Sequence, residues 1–362
     1  MLTGLPSIST TFWLQEDFSL STYKTTTLDP SPSRRFDLLG TSLAVLFDAT
    51  SPAQQADAIS HYPTFPKGPP VIFPQQRDLI TYHNRAIWPF VTAYWVKAAK
   101  KVNNDRAFEE GVRSLVRGAA LNLSNMENFE LVTGSPALKE GDKEYPEVNS
   151  QRQIWSVGGY IGMVNDELFG IKLEKGGVRV QPYMTRGLRA MFPGATKIAL
   201  NNVNVRGKKL SVVINLPDDP DPQSGAAYVI KDIRFNSVPP EEKGFIADSR
   251  LKALNLVEVD FKLPKDGPAP LRVIRPNATD PNDWRNFYPP KTPSFDNNAI
   301  AIENGKLVIR ANFAGENATD ITWSVYRDGL RVANGISAFS NAWTDPDTTG
   351  ETTPSHCYAL ET

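Results

Sequence analysis

Apolar residues recur at helical spacing in the first half of the chain. Over residues 86–102 they fall at i, i+3, i+4, i+7, i+8, i+11 and i+15, which is one continuous face of an amphipathic helix. Pro89 lies in the first turn of this predicted helix, where its missing N–H costs little. The face that we expect to pack into the core consists of Ile87, Phe90, Val91, Tyr94, Trp95, Ala98 and Val102.

Further segments of the first half carry the same period. Residues 108–123 and 154–168 each predict a helix with one apolar face, and residues 36–47 predict an earlier, more uniformly apolar one. A short helix is also expected at 52–60, and the glycine pair at 158–159 indicates close packing between helices. The predicted packing face of the 154–168 helix consists of Ile154, Val157, Gly158, Ile161, Val164 and Leu168.

After Gly170 the apolar period changes from 3.6 to 2, which is typical of β-strands. Alternating residues over 198–205 and 210–216 flank a plausible hairpin turn at 206–209. The Pro/Asp-rich residues 217–222 predict an exposed loop. Further strand-like runs are found at 227–235, 256–263 and 271–274.

A proline-rich joint at 286–293 opens the last segment. Strand-like alternation continues over 307–313 and 321–326, and Asp328-Gly329 is a strong signal for a hairpin. The predicted fold class is therefore multidomain, with helices first and strands afterwards. The domain boundaries that we expect are 1–170, 171–289 and 290–362.

Length and composition limit the classes of function. A chain of 362 residues predicts two or three domains, and a net charge of −1 shows no footprint of a nucleic-acid partner. No apolar run is long enough to span a bilayer, and no secretory leader is visible at the start, so we expect no membrane partner. Three histidines and a single cysteine offer no metal-ligand spacing, so neither a metal nor another cofactor is expected.

The candidate chemistry lies between two of the predicted helices. Glu127 sits in a polar loop, and residues 150–156 bring amides and a tryptophan some twenty residues later. A carboxylate beside an aromatic plate and amide donors suits the hydrolysis of a glycosidic bond. The alternative for Glu127 is a solvated loop acid, and its rivals on the same loop are Glu130, Glu144 and Glu147.

Candidate sugar-binding side chains flank this carboxylate. Trp88 and Trp155 stand at helix starts, where an indole can stack on a pyranose ring, although core packing is the alternative. His83 and Asn84 offer directional hydrogen bonds to hydroxyl groups, but a structural role is the alternative for His83. Gln153 could bind a hydroxyl group or cap its helix.

Three motifs in this order and spacing resemble a known family. They are YHNRAIWPF at 82–90, MENF at 126–129 and QIWS at 153–156. Together they are similar to the C-terminal third of six-hairpin (α/α)6-barrel glycosidases, nearest the glycogen-debranching and processing α-glucosidase type. The resemblance covers roughly residues 34–170, and Arg85 stands where the family usually has glycine.

The resemblance implies a partial (α/α)6 barrel and a catalytic role for Glu127. It would be the general base of an inverting, exo-acting enzyme on an α-linked, glucose-like oligo- or polysaccharide, with Phe129 among the substrate-binding residues. In this family the general acid usually comes from the upstream part of the barrel. We therefore expect that this chain is a fragment and that it does not turn over substrate alone.

No acid is assigned among the residues at hand. Glu16, Asp17 and Asp37 are the available carboxylates near the matched region. Asp37 follows two arginines at a predicted helix start, where a carboxylate is stabilised by the helix dipole, so a structural role is favoured.

The final segment resembles a fibronectin type III module. The resemblance rests on residues 323–329, 343–345 and 356–359. Together with an antiparallel β-sandwich expected at 171–289, it implies an extracellular or periplasmic polysaccharide-degrading enzyme. Two alternatives stay open: a phosphorylase on the same scaffold, with His83 and Arg85 as anion ligands, and a non-catalytic carbohydrate-binding or adhesion protein.

Overall fold

Helices dominate the first half of the protein and strands the second. The computed structural model describes residues 5–23, 30–77, 79, 82–136, 139–140, 143–144, 149–219, 225–240, 242–264, 266–275, 285, 288–349 and 355–362. Glu147, the side chain of Glu144 and parts of the predicted segments 217–222 and 286–293 lie outside these residues. The helices are α1 Leu5–Thr11, α2 Leu38–Leu46, α3 Pro52–His61, α4 Pro89–Lys101, α5 Asp105–Asn122, α6 Ile154–Gly162 and α7 Arg186–Arg189, with a π-helix at Met163–Leu168 and a 3₁₀ turn at Asp248–Arg250.

Short strands accompany the helices and longer ones follow them. The first group is β1 Trp13–Leu14, β2 Ser19–Leu20, β3 Phe36–Asp37, β4 Ile72–Phe73, β5 Ala86–Ile87, β6 Phe129–Glu130, β7 Lys139–Glu140 and β8 Lys143–Glu144. The second is β9 Ile171–Glu174, β10 Gly177–Val180, β11 Lys197–Val205, β12 Lys208–Asn215, β13 Val229–Phe235, β14 Phe245–Ala247 and β15 Leu254–Lys262. The third is β16 Ser294–Glu303, β17 Lys306–Asn312, β18 Thr322–Arg327, β19 Leu330–Ser337, β20 Ala342–Thr349 and β21 Tyr358–Glu361.

The sequence predicts α4 well except at its ends. Pro89 occupies the first helical position and Trp88 is the N-cap, so the helix starts three residues later than the apolar period suggests. Trp88, the residue before this proline, has the extended backbone expected there, and residues 86–87 ahead of it pair with β6 instead of joining the helix. Trp95 is fully buried as predicted, whereas Tyr94 is 39% exposed and does not belong to the core.

Helices α2, α4 and α6 lie side by side with α4 in the middle. Backbone hydrogen bonds connect their N-terminal ends through the segments that precede each helix. Leu38 N–H donates to Val71 O, Val71 N–H donates to Ala86 O, and Gln153 N–H donates to Asn125 O. The three helices therefore begin at the same end of the layer.

Two lysines at the end of α4 connect the opposite ends. Lys101 Nζ donates to the carbonyl groups of Val45 and Leu46 in the last turn of α2, at 2.8 and 3.0 Å. Lys100 Nζ donates to the carbonyl groups of Asp166 and Glu167 after α6, at 3.1 and 3.0 Å. Because both ends are matched, the three helices run parallel, and at each C-terminal end a lysine cation binds carbonyl groups of the last turn.

The apolar face predicted for the 154–168 helix is correct only towards its C-terminal end, where Val164 and Leu168 pack against the core. Ile154, Val157 and Ile161 are exposed, because α6 packs against α4 through another face. A Cβ on Gly159 would lie 3.0 Å from Ala93 Cβ, so the glycine permits the close approach expected from its sequence. Beyond Gly162 the helix continues as the π-helix.

Two buried carboxylates on α5 join the helical layer to the segments after it. Asp105 accepts hydrogen bonds from the amides of Ala227 and Ala269, at 3.1 and 2.8 Å. Glu109 accepts from the Thr185 hydroxyl at 2.8 Å and from the Gly225 amide at 2.9 Å. One apolar cluster accordingly includes residues from both sides of position 170.

The sheet after the helices is mixed, which corrects the prediction of purely antiparallel strands at 171–289. Its order is β11-β12-β15-β13, and β12 pairs with β15 in parallel. A parallel neighbour needs a long crossover, and the residues between β12 and β15 supply one.

The predicted β11–β12 hairpin is confirmed, with Arg206 and Gly207 at φ +49° and +76°. The strand predicted at 271–274 is not formed; these residues make one bridge, from Val273 to Thr64.

The final segment forms two three-stranded sheets. Their orders are β16-β17-β20 and β19-β18-β21, and Ile309, Trp323 and Val325 lie in the core between them. Asp328 and Gly329 make the predicted hairpin turn, at φ +52° and +82°. We call residues 290–362 the C-terminal module; its likeness to fibronectin type III stays a prediction.

Within the described part of the chain, no helix is long and apolar enough to cross a membrane.

The Glu109 contacts make a testable contribution to stability. We expect Glu109→Ala to lower the free energy of unfolding by about 3 kcal/mol, because it leaves buried donors without an acceptor. Glu110→Ala, on the next position of the same helix, is the control and should cost less than about 1 kcal/mol. Chemical denaturation measures both, and equal losses would contradict the proposed junction.

Candidate active site

The loop after α5 places Glu127 at the common end of α2, α4 and α6. Glu127 is 8% exposed, and its amide donates to Ser150 O at 2.9 Å. The Ser150 amide in turn donates to Glu127 Oε2 at 3.1 Å. Asn149 Nδ2 donates to Asn128 O at 2.9 Å, so the loop is joined side by side to the segment that leads into α6.

Tyr82 holds the other oxygen of this carboxylate. Its hydroxyl donates to Glu127 Oε1 at 3.0 Å. Removal from water raises the pKa of the Tyr82 hydroxyl, and the hydrogen bond to Glu127 raises it further, so the hydroxyl remains a donor. A carboxylate has about four acceptor positions, so these two donors fix the orientation of Glu127 and leave capacity for another.

An aromatic cluster extends from Tyr82 to the start of α6. The rings of His83 and Trp88 are stacked, with centroids 4.8 Å apart and planes at 8°. Tyr82 lies edge-on to Trp88 at 5.0 Å, and the Trp88 indole N–H donates to Tyr82 O at 2.8 Å. Trp155 lies 6.2 Å from Trp88 and 5.1 Å from Phe90.

These rings differ in what they offer a ligand. Trp155 is 47% exposed and His83 is also exposed, whereas Trp88 is 4% exposed beneath the His83 ring. The core alternative therefore describes Trp88 better than direct stacking on a sugar. Among the predicted aromatic plates, the accessible surface belongs to Trp155.

Two predicted substrate ligands are used within the fold. The Asn84 amide group donates to the carbonyl groups of Gln76 and Leu79, at 2.8 and 2.9 Å, and its oxygen accepts from the Gln76 amide at 2.6 Å. Phe129 is 3% exposed and packs over Gly118, in a cluster with Met126. Asn84 therefore closes its own loop, and Phe129 supports the Glu127 loop from below without a surface for substrate.

Gln153 is the N-cap of α6, but its side chain makes no capping hydrogen bond. The alternative of a simple capping role is thus not realised. Gln153 is half-buried, its backbone amide donates to Asn125 O in the loop before Glu127, and its side-chain amide suits a hydroxyl ligand.

The structure explains how Arg85 can stand at a position where the family that the sequence resembles usually has glycine. Its φ is +53°, a left-handed conformation that glycine adopts without steric cost. Its guanidinium group reaches Glu130 Oε1 at 3.2 Å and the Tyr288 hydroxyl at 3.0 Å. These contacts occupy Arg85 beneath the loop, so the structure does not favour the alternative in which it binds phosphate.

Glu130, a predicted rival of Glu127, serves the loop itself. It is almost fully buried and accepts hydrogen bonds from the amides of Val132 and Thr133, at 3.0 and 2.6 Å, besides pairing with Arg85. A carboxylate so enclosed holds the turn after β6 together.

The possible acids also have structural partners. Asp37 is the N-cap of α2 and accepts from the Gly40 amide; burial raises the pKa of its carboxyl group, against the effects of Gly40 and His83. Asp17 pairs with Arg34 at 2.7 Å, and Glu16 lies 3.7 Å from the same arginine. Asp37 also borders a cavity of about 410 Å³ beside α2.

The described residues include no group of three or more His, Cys, Asp or Glu side chains placed to hold a metal ion.

Sequence reasoning missed two residues of this arrangement. Tyr82 and Ser150 hold the Glu127 carboxylate, and neither was singled out. Each is the first residue of a segment that carries candidate chemistry, 82–90 and 150–156, and this place in the segment was the available signal.

One comparison gives a match over the stretch that contains these residues. Residues 73–161 match the family model described as amylo-alpha-1,6-glucosidase, and this stretch contains every predicted site residue. The match supports a domain like those of glycogen-debranching glycosidases, and with it a role in carbohydrate hydrolysis. No curated protein matches the chain significantly.

The left-handed backbone at Arg85 yields a second testable prediction. Arg85→Gly and Arg85→Ala both remove the partner of Glu130, but only alanine keeps the steric cost of positive φ. We expect Arg85→Ala to be less stable than Arg85→Gly by about 1 kcal/mol. Thermal unfolding of the pair measures this difference, and a glycine variant no more stable than the alanine variant would show that the conformation carries no strain.

Proposed function

We propose that the protein is an inverting, exo-acting glycoside hydrolase, with Glu127 as its general base and an α-linked, glucose-like oligo- or polysaccharide as its substrate. The observation that carries the proposal is the Glu127 carboxylate, oriented by Tyr82 and Ser150 at the start of three parallel helices. The match of this stretch to a glucosidase family supports the same conclusion.

Hydrolysis with inversion requires a water between the carboxylate and the anomeric carbon. Glu127 takes a proton from this water while the water oxygen forms a bond to the anomeric carbon. The bond from that carbon to the leaving oxygen breaks on the opposite face, and a second carboxyl group donates a proton to the leaving oxygen. The two carboxyl groups of such enzymes are about 6.5–9.5 Å apart.

Substrate recognition in this proposal is divided among exposed and buried residues. Trp155 stacks on the sugar ring, and His83 and Gln153 hydrogen-bond its hydroxyl groups. Trp88, held by the Tyr82 carbonyl group, keeps the rings of His83 and Trp155 in place.

The second carboxyl group is proposed to come from further helical hairpins upstream in the same barrel. The outer face of α6 supports this, because Ile154, Val157 and Ile161 form an exposed apolar strip beside the site. An apolar strip of this kind is the face that a neighbouring helix covers.

An extracellular or periplasmic location is also proposed, from the resemblance of the C-terminal module alone. Fractionation of the source cells tests it, since recovery in the cytosol would contradict it.

The role of Glu127 can be tested in the protein together with its upstream part. We expect Glu127→Gln to lower kcat by about 10²–10⁴-fold, because a general base is lost, while oligosaccharide affinity stays within a few fold. Asp166→Asn, at the opposite end of the helices, is the control and should leave kcat unchanged. Turnover of Glu127→Gln within about tenfold of the parent would exclude the role.

The assay also separates the alternative functions. Sugar phosphate formed only when inorganic phosphate is present would mean phosphorolysis. Oligosaccharide affinity without hydrolysis, even with the upstream part present, would identify a binding protein.

Trp155 gives a test that needs no turnover. Trp155→Ala should weaken oligosaccharide binding by roughly tenfold, because the apolar face of the sugar no longer stacks on an indole ring. Tyr94→Ala is a matched control, since Tyr94 is a similarly exposed aromatic residue on α4. Titration calorimetry measures both, and equal affinities of the two variants would remove Trp155 from the site.

A further inference from the structure

An ion pair connects the C-terminal module to the loop that carries Tyr82 and His83. Arg77 Nη1 lies 2.6 Å from Glu316 Oε1, and Arg77 Nη2 lies 3.4 Å from Glu316 Oε2. The residues are 239 positions apart, so the contact joins distant parts of the chain. The Lys291 amide also donates to Glu316 Oε1, at 3.3 Å.

Burial distinguishes this pair from an ordinary surface salt bridge. The side chains of Arg77 and Glu316 are 20% and 6% exposed. Exposed ion pairs contribute little, whereas a two-pronged arginine–carboxylate contact removed from water has fixed geometry and leaves a costly charge behind when one partner is lost.

The loop connects Arg77 to the site within a few hydrogen bonds. The neighbouring residue, Gln76, exchanges two hydrogen bonds with Asn84, which also binds Leu79 O. The Tyr82 amide donates to Asn84 O at 3.2 Å. Arg77 is therefore connected, through Gln76 and Asn84, to Tyr82, whose hydroxyl donates to Glu127.

Further contacts hold the module in one orientation. Arg34 Nε lies 3.7 Å from Glu361 Oε1 in β21, and Arg331 pairs with Glu16. A Cβ on Gly329 would lie 2.6 Å from Pro30, so the β18–β19 turn rests closely on the N-terminal segment. The module therefore gives Arg77 a fixed point of attachment.

We propose that the C-terminal module positions the substrate loop through the Arg77–Glu316 pair, both members acting as positioning residues. This inference rests on the proposed function for its catalytic consequence, but not for its structural one. It predicts that loss of the pair loosens the Gln76–Asn84 loop and weakens sugar binding at His83 and Trp155.

Hydrogen exchange and sugar affinity together test this coupling. In Glu316→Gln we expect exchange at the Gln76 and Tyr82 amides to accelerate roughly tenfold or more, and oligosaccharide affinity to fall by a similar factor. Exchange at the Val325 amide, in the core of the module, should not change. Glu303→Gln is the matched control, because it removes a carboxylate that pairs with Arg310 inside the same module.

Charge reversal separates positioning from simple damage. Arg77→Glu and Glu316→Arg should each reproduce the loosened loop, and the double variant should restore slow exchange and affinity. Unchanged exchange at Gln76 and Tyr82 in Glu316→Gln would overturn the proposal, as would a loss that the double variant does not repair.

Two assays distinguish failure of the positioning role from failure of the proposed hydrolase activity. If exchange and sugar affinity respond as expected while no variant, including the parent with its upstream part, hydrolyses a glycoside, the positioning role stands and the hydrolase proposal fails. If the parent hydrolyses glycosides while exchange in the loop is unaffected by Glu316→Gln, the positioning role fails and the hydrolase proposal stands.

Discussion

The site depends on the parallel alignment of α2, α4 and α6. Backbone hydrogen bonds connect their starts, and Lys100 and Lys101 connect their ends. Because the helices begin at one level, the segments before them converge, although they are distant in the chain. Glu127, Tyr82 and Trp155 come together through this convergence, not through a local motif.

The same alignment concentrates polar groups at one end of the layer. Helix N-termini carry a partial positive charge and unpaired N–H groups, which favours carboxylates and hydroxyl ligands there. Asp37 caps α2 with its side chain, but α4 and α6 begin without a side-chain cap. The starts of these two helices carry Trp88 and Trp155, which belong to the aromatic cluster beside Glu127.

The sequence predicts local structure here better than it predicts the use of each side chain. Apolar period and Pro89 locate α4, and Asp328-Gly329 locates a hairpin, because these signals act within a few residues. The glycine pair at 158–159 indicates close packing of α6, but its partner cannot be predicted, because Gly159 meets Ala93 only in the folded chain. A strip of Ile and Val residues looks the same in sequence whether it is covered or exposed.

The site shows the same limit. The position of Glu127 follows from its motif, but Asn84 and Phe129 turn out to support the loops because their partners, Gln76 and Gly118, adjoin them only in the folded chain. The unusual Arg85 is explained by a backbone angle and by Glu130, neither of which composition or spacing discloses.

A crystal structure of the protein with a bound iminosugar would test the central claim most directly. The account predicts the sugar ring against the Trp155 indole, with a water held by Glu127 on the side of the ring opposite the leaving group. A sugar bound elsewhere, or a Glu127 carboxylate separated from it by the His83 and Trp88 rings, would contradict the account.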